Sequence, residues 1–248
     1  MNEQKKYEFT GEIKVVFGIN FKQIRAIINF GCVVAGEIGG WIECEENLSQ
    51  SGNAWVSDNA RVSGDARVSD NARVSDNAMV FGNAWVSGNA WVSDNARVSG
   101  NAEVSDNAMV FGNAWVSSNA RVSGNARVSG DAWVSGDARV SGNARVSGDA
   151  RVSDNARVFG NAWVSGDAEV KKDDDYMVVG GAGRYNRFTT FFKCRDKTIK
   201  VVCGCFSGTI IEFRAKVKET HKGNKHEKVY LAMADMAELQ IDNDEVEK

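Results

Sequence analysis

A six-residue phrase repeats twenty times without an insertion between Gly52 and Lys171. Each copy reads Gly or Asp (once Ser), Asn or Asp, Ala, a variable residue, Val and usually Ser. Because Ala and Val are two residues apart, they share one side of a strand, and the variable residue points to the other side. The variable position holds ten Arg, six Trp, two Met and two Glu, and charged side chains at this density belong in water. Each phrase is therefore predicted to be a very short strand followed by a bend at the Gly, Asn or Asp pair.

The period of six excludes two common arrangements. Six residues rotate an α-helix by about 600°, which would carry Val around every face of the helix. An antiparallel meander needs strands of about five or six residues plus a turn, and the phrase leaves too few residues for both. A parallel coil with three phrases per turn lets each strand pair with the copy eighteen residues later. The sequence therefore predicts a mainly β protein in which residues 52–171 form a parallel β-helical rod of roughly 30 Å, with strands about 4.8 Å apart.

Two stretches resemble known families. The phrase read from Val, as in Val62 with Ala66, resembles the hexapeptide repeat of left-handed parallel β-helix proteins. That resemblance implies a left-handed coil, whereas the periodicity alone leaves the hand open. Residues 34–42, followed by Asn-Leu-Ser-Gln at 47–50, are similar to the N-terminal segment of predicted hexapeptide-repeat acetyltransferases of enteric bacteria. They also resemble bacterial and phage proteins with Gly-Asn-Ala-x-Val repeats. This second resemblance implies a β-helix that is often trimeric, with acetyl-CoA as cofactor if the chain is an enzyme.

The repeats divide the chain into three predicted units: an N-terminal β cap (1–51), the hexapeptide-repeat rod (52–171) and a C-terminal α+β domain (172–248). The open end of a β-helix is a sheet edge that must be covered. Trp41 is large enough to do so and is predicted to plug that end.

Secondary structure outside the rod is predicted from local pattern. In the cap, two strands are expected around Gly11, and then a strand or brief helix, over residues 6–10, 14–17 and 21–30. In the C-terminal domain, three strands are expected over residues 177–179, 187–194 and 198–203. Thr209 and Glu212 form a capping-box pattern, which predicts a helix to about His221. A second helix is expected over about 227–239.

Composition excludes several classes of function. The net charge of −3 and the absence of a polybasic stretch predict no binding to nucleic acid. No apolar run approaches the roughly 20 residues of a membrane span, and the N-terminus lacks an apolar signal core, so no membrane association is predicted. The five Cys are odd in number and sparsely spaced, which favours a reducing, cytoplasmic compartment.

Few residues offer catalytic or metal chemistry. Hexapeptide acyltransferases, which the chain resembles, usually depend on a catalytic His on the coil. Here His221 and His226 are the only His, and both lie outside the repeats, so no catalytic residue is predicted. Cys203 and Cys205 are too close for an ordinary zinc pair, and Cys194 does not complete a set of four ligands. No metal site and no cofactor are therefore predicted.

The glycine-rich loop before residue 188 is the best candidate for binding a small ligand. Backbone N–H groups and guanidinium groups could together hold a phosphate there, and the candidates are Arg184, Tyr185, Asn186 and Arg187. The loop does not open a helix, so it is not a nucleotide-hydrolase phosphate loop, and a plain turn between strands is the alternative. The function predicted is a non-catalytic β-helical scaffold or binding protein that self-assembles. The alternatives are an acyl-CoA-dependent acetyltransferase and a protein that sequesters a small phosphorylated ligand.

The variable positions fall on three faces if each turn has eighteen residues. Trp and Arg are favoured at subunit interfaces, so a homo-oligomer, most simply a trimer, is predicted. The first face carries the most Trp, and its interface candidates are Trp55, Trp91, Trp163, Arg73, Arg127 and Arg145. The alternative is surface decoration left by gene duplication, because several Trp recur every thirty residues.

Overall fold

The computed structural model describes residues 5–183 and 185–241. Every phrase forms a two-residue strand that consists of the variable residue and the following Val. The Ala and Val of all twenty phrases are at most 1% exposed, so the predicted inside of the coil is confirmed. Each strand pairs in parallel with its neighbours in the adjacent turns, as Val98 does with Val80 and Val116. The rod is thus a parallel β-solenoid with three phrases per turn. The hand of the coil stays a prediction.

The turns stack into three sheets, which confirms the three predicted faces. Sheet one begins at Trp55, sheet two at Arg61 and sheet three at Arg67. The strands of the rod, β4 to β23, are Trp55–Val56, Arg61–Val62, Arg67–Val68, Arg73–Val74, Met79–Val80, Trp85–Val86, Trp91–Val92, Arg97–Val98, Glu103–Val104, Met109–Val110, Trp115–Val116, Arg121–Val122, Arg127–Val128, Trp133–Val134, Arg139–Val140, Arg145–Val146, Arg151–Val152, Arg157–Val158, Trp163–Val164 and Glu169–Val170.

The first two residues of each phrase build the corners of the coil. The first residue has a positive φ throughout the rod, which explains why Gly is the commonest residue there. Where Asp takes this place, its carboxylate can accept a hydrogen bond from the next turn, as Asp94 does from the N–H of Gly112 at 2.9 Å. The second residue joins successive turns through its side chain. On one corner, amide-to-amide hydrogen bonds run along the rod through a column of seven Asn: Asn53, Asn71, Asn89, Asn107, Asn125, Asn143 and Asn161.

The N-terminal cap extends sheet two beyond the end of the rod. Its strands are β1 (Tyr7–Val16), β2 (Ile19–Ala26) and β3 (Ile38–Ile42), followed by a 3₁₀ turn at Glu45–Asn47. The prediction of two strands around Gly11 was wrong. There is one strand, whose register with β2 shifts between Phe9 and Ile13 while Gly11 adopts a φ of 96°. Such an irregularity bends a strand without ending it, and Gly tolerates the bend.

Trp41 does not plug the rod. It lies half-buried on the outer side of β3 opposite Arg61, because β3 continues the alternation of the phrase and points Ile42 inward beside Val62. The open end is closed instead by buried side chains from the rest of the cap: Lys6, Tyr7, Ile24 and Leu48.

Gly40 takes the place of the phrase's Ala, and its lack of a side chain is required. A Cβ at this position would lie 2.8 Å from the carbonyl oxygen of Ala60 and 2.9 Å from a methyl group of Val56. The Gly-Gly-Trp-Ile sequence is therefore a modified phrase that lets the cap approach the first turn closely.

The C-terminal domain is a four-stranded antiparallel sheet with two helices. Its strands are β24 (Tyr176–Ala182), β25 (Arg187–Lys193), β26 (Ile199–Cys203) and β27 (Phe206–Thr209), and a 3₁₀ turn at Asp173–Asp175 precedes them. Its helices are α1 (Ile210–His221) and α2 (Lys225–Ile241). The capping box at the start of α1 is confirmed, whereas β27 was not predicted. No helix in the described part of the chain is long and apolar enough to cross a membrane.

The sheet of this domain is buried on both faces. On one face of the sheet, Tyr176, Phe192 and Val202 pack against the core of the rod and close its second end. On the opposite face, residues such as Phe191 and Val201 pack against α1 and α2 in a separate core. One face of this sheet is therefore the terminal cap that a solenoid needs, and the other face carries a separate core.

Candidate functional site

A cavity of about 570 Å³ opens in the C-terminal domain between the β24–β25 turn, the β26–β27 turn and α1. It is the largest of the described cavities outside the rod and the cap, and its size is typical of small-molecule sites. Its lining residues are Gly183, Tyr185, Arg187, Cys203, Cys205, Phe206, Phe213, Lys216, Val217, Thr220, His221 and Tyr230.

The predicted loop supplies one wall of this cavity. Tyr185 and Arg187 line it, and the Arg187 guanidinium lies over the Tyr185 ring at 5.0 Å from its centroid. Asn186 faces a neighbouring cleft instead. Arg184 lies outside the described residues. Gly183 has a φ of 69°, which favours Gly, and a Cβ there would lie 2.3 Å from the Tyr230 hydroxyl. The glycine-rich sequence thus lets the loop sit directly on α2.

Aromatic rings form the floor of the cavity. Phe213 from α1 contacts Phe206 and Tyr230, with ring centroids 5.4 and 5.9 Å apart. His221, at the end of α1, stacks on Tyr230 at 5.5 Å with an angle of 27° between the rings. His221 therefore belongs to the cavity, which sequence reasoning missed. The signal was present, because Phe213, Val217 and His221 follow one another at helical spacing on α1.

The polar groups of the cavity are held by hydrogen bonds and burial. The Thr189 hydroxyl lies 3.1 Å from the Cys203 sulfur. Burial, with a smaller effect of neighbouring Cys203, raises the pKa of Tyr230 to about 12, so that the phenol is protonated at neutral pH. Among the lining residues there is no Asp or Glu, whereas Arg187 and Lys216 are cationic. The arrangement can therefore hold an anionic group beside a flat apolar one.

A smaller cleft of about 360 Å³ lies on the other side of Arg187, between the domain and sheet one. Arg145 lies over the Trp163 ring there, with the guanidinium carbon 5.6 Å from the ring centroid. The end of the Asn column, Asn143 and Asn161, also lines the cleft. Arg187 and Tyr185 line both spaces.

A cluster of side chains at the end of the rod contains residue types that bind metal ions, but the Lys200 ammonium already pairs with one of them. Asp167, Cys194 and Asp196 place one possible ligand atom each within 4.8 Å of one another. Lys200 donates to Asp167 at 2.5 Å and holds the pKa of that carboxyl below its usual range. Burial raises the pKa of the Cys194 thiol to about 12, so the sulfur stays protonated. The cluster serves as an ion pair that joins the rod to the C-terminal domain.

The interface candidates of sheet one have different environments. Trp55 is only 5% exposed, because the cap covers it and the Tyr7 and Phe30 rings contact it edge-on. The expectation that Trp55 lies on a free surface was therefore wrong. A guanidinium nitrogen of Arg73 lies 2.9 Å from the sulfur of Cys32 in the cap. Arg127 and Arg145 are exposed.

The other Trp of the rod are exposed, and their side chains contact neighbouring turns of the same rod. Trp91 and Trp163 each donate the indole N–H to a Ser hydroxyl in the preceding turn, at 3.1 and 3.3 Å. On sheet two, Trp115 and Trp133 stack in parallel at 5.5 Å. These contacts between turns give the Trp a stabilising role within the chain, independent of any subunit contact.

Comparison with known families gives one match. The model described as the YdcK beta solenoid repeat matches overlapping segments at residues 54–70, 60–75, 66–79, 72–88, 102–118, 120–136, 138–153 and 150–166. All of these lie in the rod, and together they cover less than half of the chain. No curated protein matches the chain. The rod is therefore similar to a β-solenoid repeat family in its sequence as well as in its fold, and the match extends neither to the cap nor to the C-terminal domain.

Proposed function

We propose that this protein is a non-catalytic binding protein, in which the β-solenoid is the scaffold and the C-terminal cavity holds a small anionic ligand. The observation that carries the proposal is the lining of the 570 Å³ cavity, where Arg187 and Lys216 stand beside a floor of aromatic rings. A ligand with a planar group and a phosphate or carboxylate would fit both features. The planar group would lie on the rings, and the anion would face the cations.

Local geometry favours binding by a preformed site. The Arg187 guanidinium lies over the Tyr185 ring and against the backbone of Gly204, where a Cβ would be 2.2 Å from one of its nitrogens. The Tyr230 hydroxyl, kept protonated, can donate a hydrogen bond to an anion or a carbonyl oxygen. A site that loses little conformational entropy on binding gains affinity.

Calorimetry with adenosine monophosphate, adenosine and inorganic phosphate tests the proposal. The nucleotide carries both required groups, and each of the other two probes carries one. We expect the nucleotide to bind more tightly than either part. The variant Arg187→Ala should weaken its binding by about 10- to 100-fold, the value of one hydrogen bond to a charged group.

Arg139→Ala, on the exposed face of sheet three, is the matched control and should bind like the unchanged protein. If Arg187→Ala and Arg139→Ala bind the nucleotide equally, the cavity is not the site. If none of the three probes binds, mass spectrometry of the gently purified protein should still reveal a retained small molecule. Failure of both measurements would refute the proposal.

An acetyltransferase is the second candidate, because the cavity contains His221, with His226 next to it at 5.8 Å between ring centroids. Acetyl-CoA would then be the cofactor. Turnover of acetyl-CoA that is lost in a His221→Ala, His226→Ala double variant would establish this activity in place of simple binding. Sequestration of a phosphorylated ligand, the other alternative predicted from the sequence, is a variant of the main proposal. In this variant inorganic phosphate alone would bind to the cavity.

We also propose that the protein works in the cytoplasm and associates with itself. All five Cys are free thiols, in keeping with a reducing compartment. A trimer through sheet one stays a prediction. The exposed Trp that would carry it are reduced to Trp91 and Trp163, because Trp55 is covered by the cap.

A further inference from the structure

The N-terminal hairpin ends sheet two with an unpaired strand. In the order of that sheet, β1 comes first and is bonded only to β2. An edge strand presents a row of backbone N–H and C=O groups that can pair with another strand. Proteins commonly block such an edge, yet residues 11–15 of β1 are exposed and include the apolar residues Ile13 and Val15.

The turn of the hairpin determines which groups face the free edge. Phe17 and Gly18 form a two-residue turn with φ of 50° and 80°, and Val16 pairs with Ile19 across it. In such a hairpin the pair next to the turn is hydrogen-bonded, and the pairs then alternate. The N–H and C=O groups of Val15 and Ile13 therefore point away from β2, toward the free edge.

The side chains on one side of this edge form an apolar ridge. Ile13 and Val15 are two residues apart on β1 and are 61% and 65% exposed. Phe17, in the adjoining turn, is 96% exposed and lines a cavity together with Val16 and Ile19. Neighbouring exposed apolar side chains, unlike single ones, indicate a contact surface. The ridge and the free backbone groups are on the same strand, so a single added strand would cover both.

The charges on the opposite side of the edge indicate a second copy of the same strand. Glu12 and Lys14 lie on either side of Ile13, and among the ion pairs of the described residues none involves either of them. The Lys14 ammonium lies over the Trp41 ring, 5.6 Å from its centroid, and would have to leave this ring to meet a carboxylate of another copy. If two β1 strands pair antiparallel with Ile13 opposite Ile13, each Glu12 lies opposite the Lys14 of the other copy. A pairing centred on Lys14 would place like charges opposite each other, and one centred on Val15 would leave Glu12 without a partner.

We propose that two copies of this chain join through β1 in antiparallel register, with Ile13 on the twofold axis. Ile13 then forms the central hydrogen-bonded pair, and the Glu12–Lys14 pairs on both sides are the non-bonded pairs in which side chains approach most closely. Sheet two of one copy continues into sheet two of the other. The two rods lie with their N-terminal ends together and their C-terminal cavities at opposite ends.

A charge exchange tests this register. Glu12→Lys and Lys14→Glu should each weaken the dimer by about tenfold or more, because each variant places like charges opposite each other twice. Mixing the two variants in equal amounts should restore association, since every pair in the mixed dimer then has opposite charges. Sedimentation velocity measures all three samples. Lys197→Glu, at the far end of the molecule, is the control for net charge and should dimerise normally.

A backbone variant makes the test independent of charge. Ile13→Pro removes the N–H that points to the free edge, a position at which a strand tolerates Pro, and it should abolish the dimer while the circular dichroism melting curve is retained. A monomeric unchanged protein would overturn the proposal, and so would a trimer through sheet one, which is the alternative assembly predicted from the sequence. So would single charge variants that dimerise as well as the unchanged protein, or a mixture that does not reassociate.

Discussion

The corner residue Asp94 offers a test of why both Asp and Gly occur at the first place of the phrase. Asp94 has a φ of 58°, which costs an ordinary residue about 1 kcal/mol or more. Its carboxylate accepts a hydrogen bond from the N–H of Gly112 in the next turn at 2.9 Å. Because Asp94 is exposed, we take this bond at about 1 kcal/mol, the value of an ordinary net hydrogen bond. The energetic cost of the positive φ and the stabilisation by the hydrogen bond are thus of similar size.

Two substitutions separate these effects. Asp94→Ala removes the bond and keeps the strain, so the free energy of unfolding should fall by about 1 kcal/mol. Asp94→Gly removes both the bond and the strain, so its free energy of unfolding should stay within about 0.5 kcal/mol of that of the unchanged protein. In both variants the N–H of residue 94 can still donate to Asp76, so that contact does not differ.

Urea denaturation followed by circular dichroism measures the difference through the midpoint, provided that the slope is unchanged. The expected order of midpoints places Asp94→Gly close to the unchanged protein and Asp94→Ala below both. Equal midpoints for Asp94→Ala and the unchanged protein would show that the bond contributes nothing. A loss in Asp94→Gly as large as in Asp94→Ala would show that the positive φ is not a source of strain.

Two further substitutions test the core and the cap. Val98→Asp should unfold the rod, because it places an unpaired charge at a wholly buried position and costs several kcal/mol, whereas Val98→Ala should lower the melting temperature only modestly. In the cap, burial lowers the pKa of Lys6 to about 8, so between pH 8 and 10.5 the unfolded chain binds more protons than the folded one. The free energy of unfolding should therefore rise with pH across this window by more in the unchanged protein than in Lys6→Met, and parallel pH profiles would contradict the assignment.

The rod could be predicted because its determinants are local. The alternation of Ala, the variable residue and Val fixes the inside and the outside of each strand, and the period of six fixes the pairing of turns. The predicted set of eighteen-residue neighbours, such as Arg97 with Trp115, agrees with the observed register. No contact distant in sequence was needed for either result.

The errors concern residues whose environment is created by distant segments. Trp55 has the same sequence context as Trp91, yet it is buried because the hairpin at residues 7–26 folds over it. Trp41 was assigned by its size, whereas its place in a modified phrase points it outward. β27 is only four residues long and includes Gly208, so its local pattern is weak.

The candidate cavity was predictable only in part. The glycine-rich loop located Tyr185 and Arg187, because loops with Gly and Arg have recognisable chemistry. The contributions of Lys216, His221 and Tyr230 depend on how α1 and α2 pack on the sheet, and no sequence motif encodes that packing. Helical spacing along α1 would have grouped His221 with Phe213 and Val217, but not with the loop.

The uninterrupted six-residue period of the rod also determines how the two ends of the molecule are oriented relative to each other. Since three phrases complete one turn, the gain or loss of eighteen residues would move the C-terminal cavity along the axis by about 4.8 Å without turning it. The gain or loss of a single phrase would leave the Val core intact but rotate the cavity by about a third of a turn relative to the hairpin. The number of phrases therefore also sets the direction in which the cavity faces, so that duplication of a short stretch can change this direction without changing any residue of the cavity.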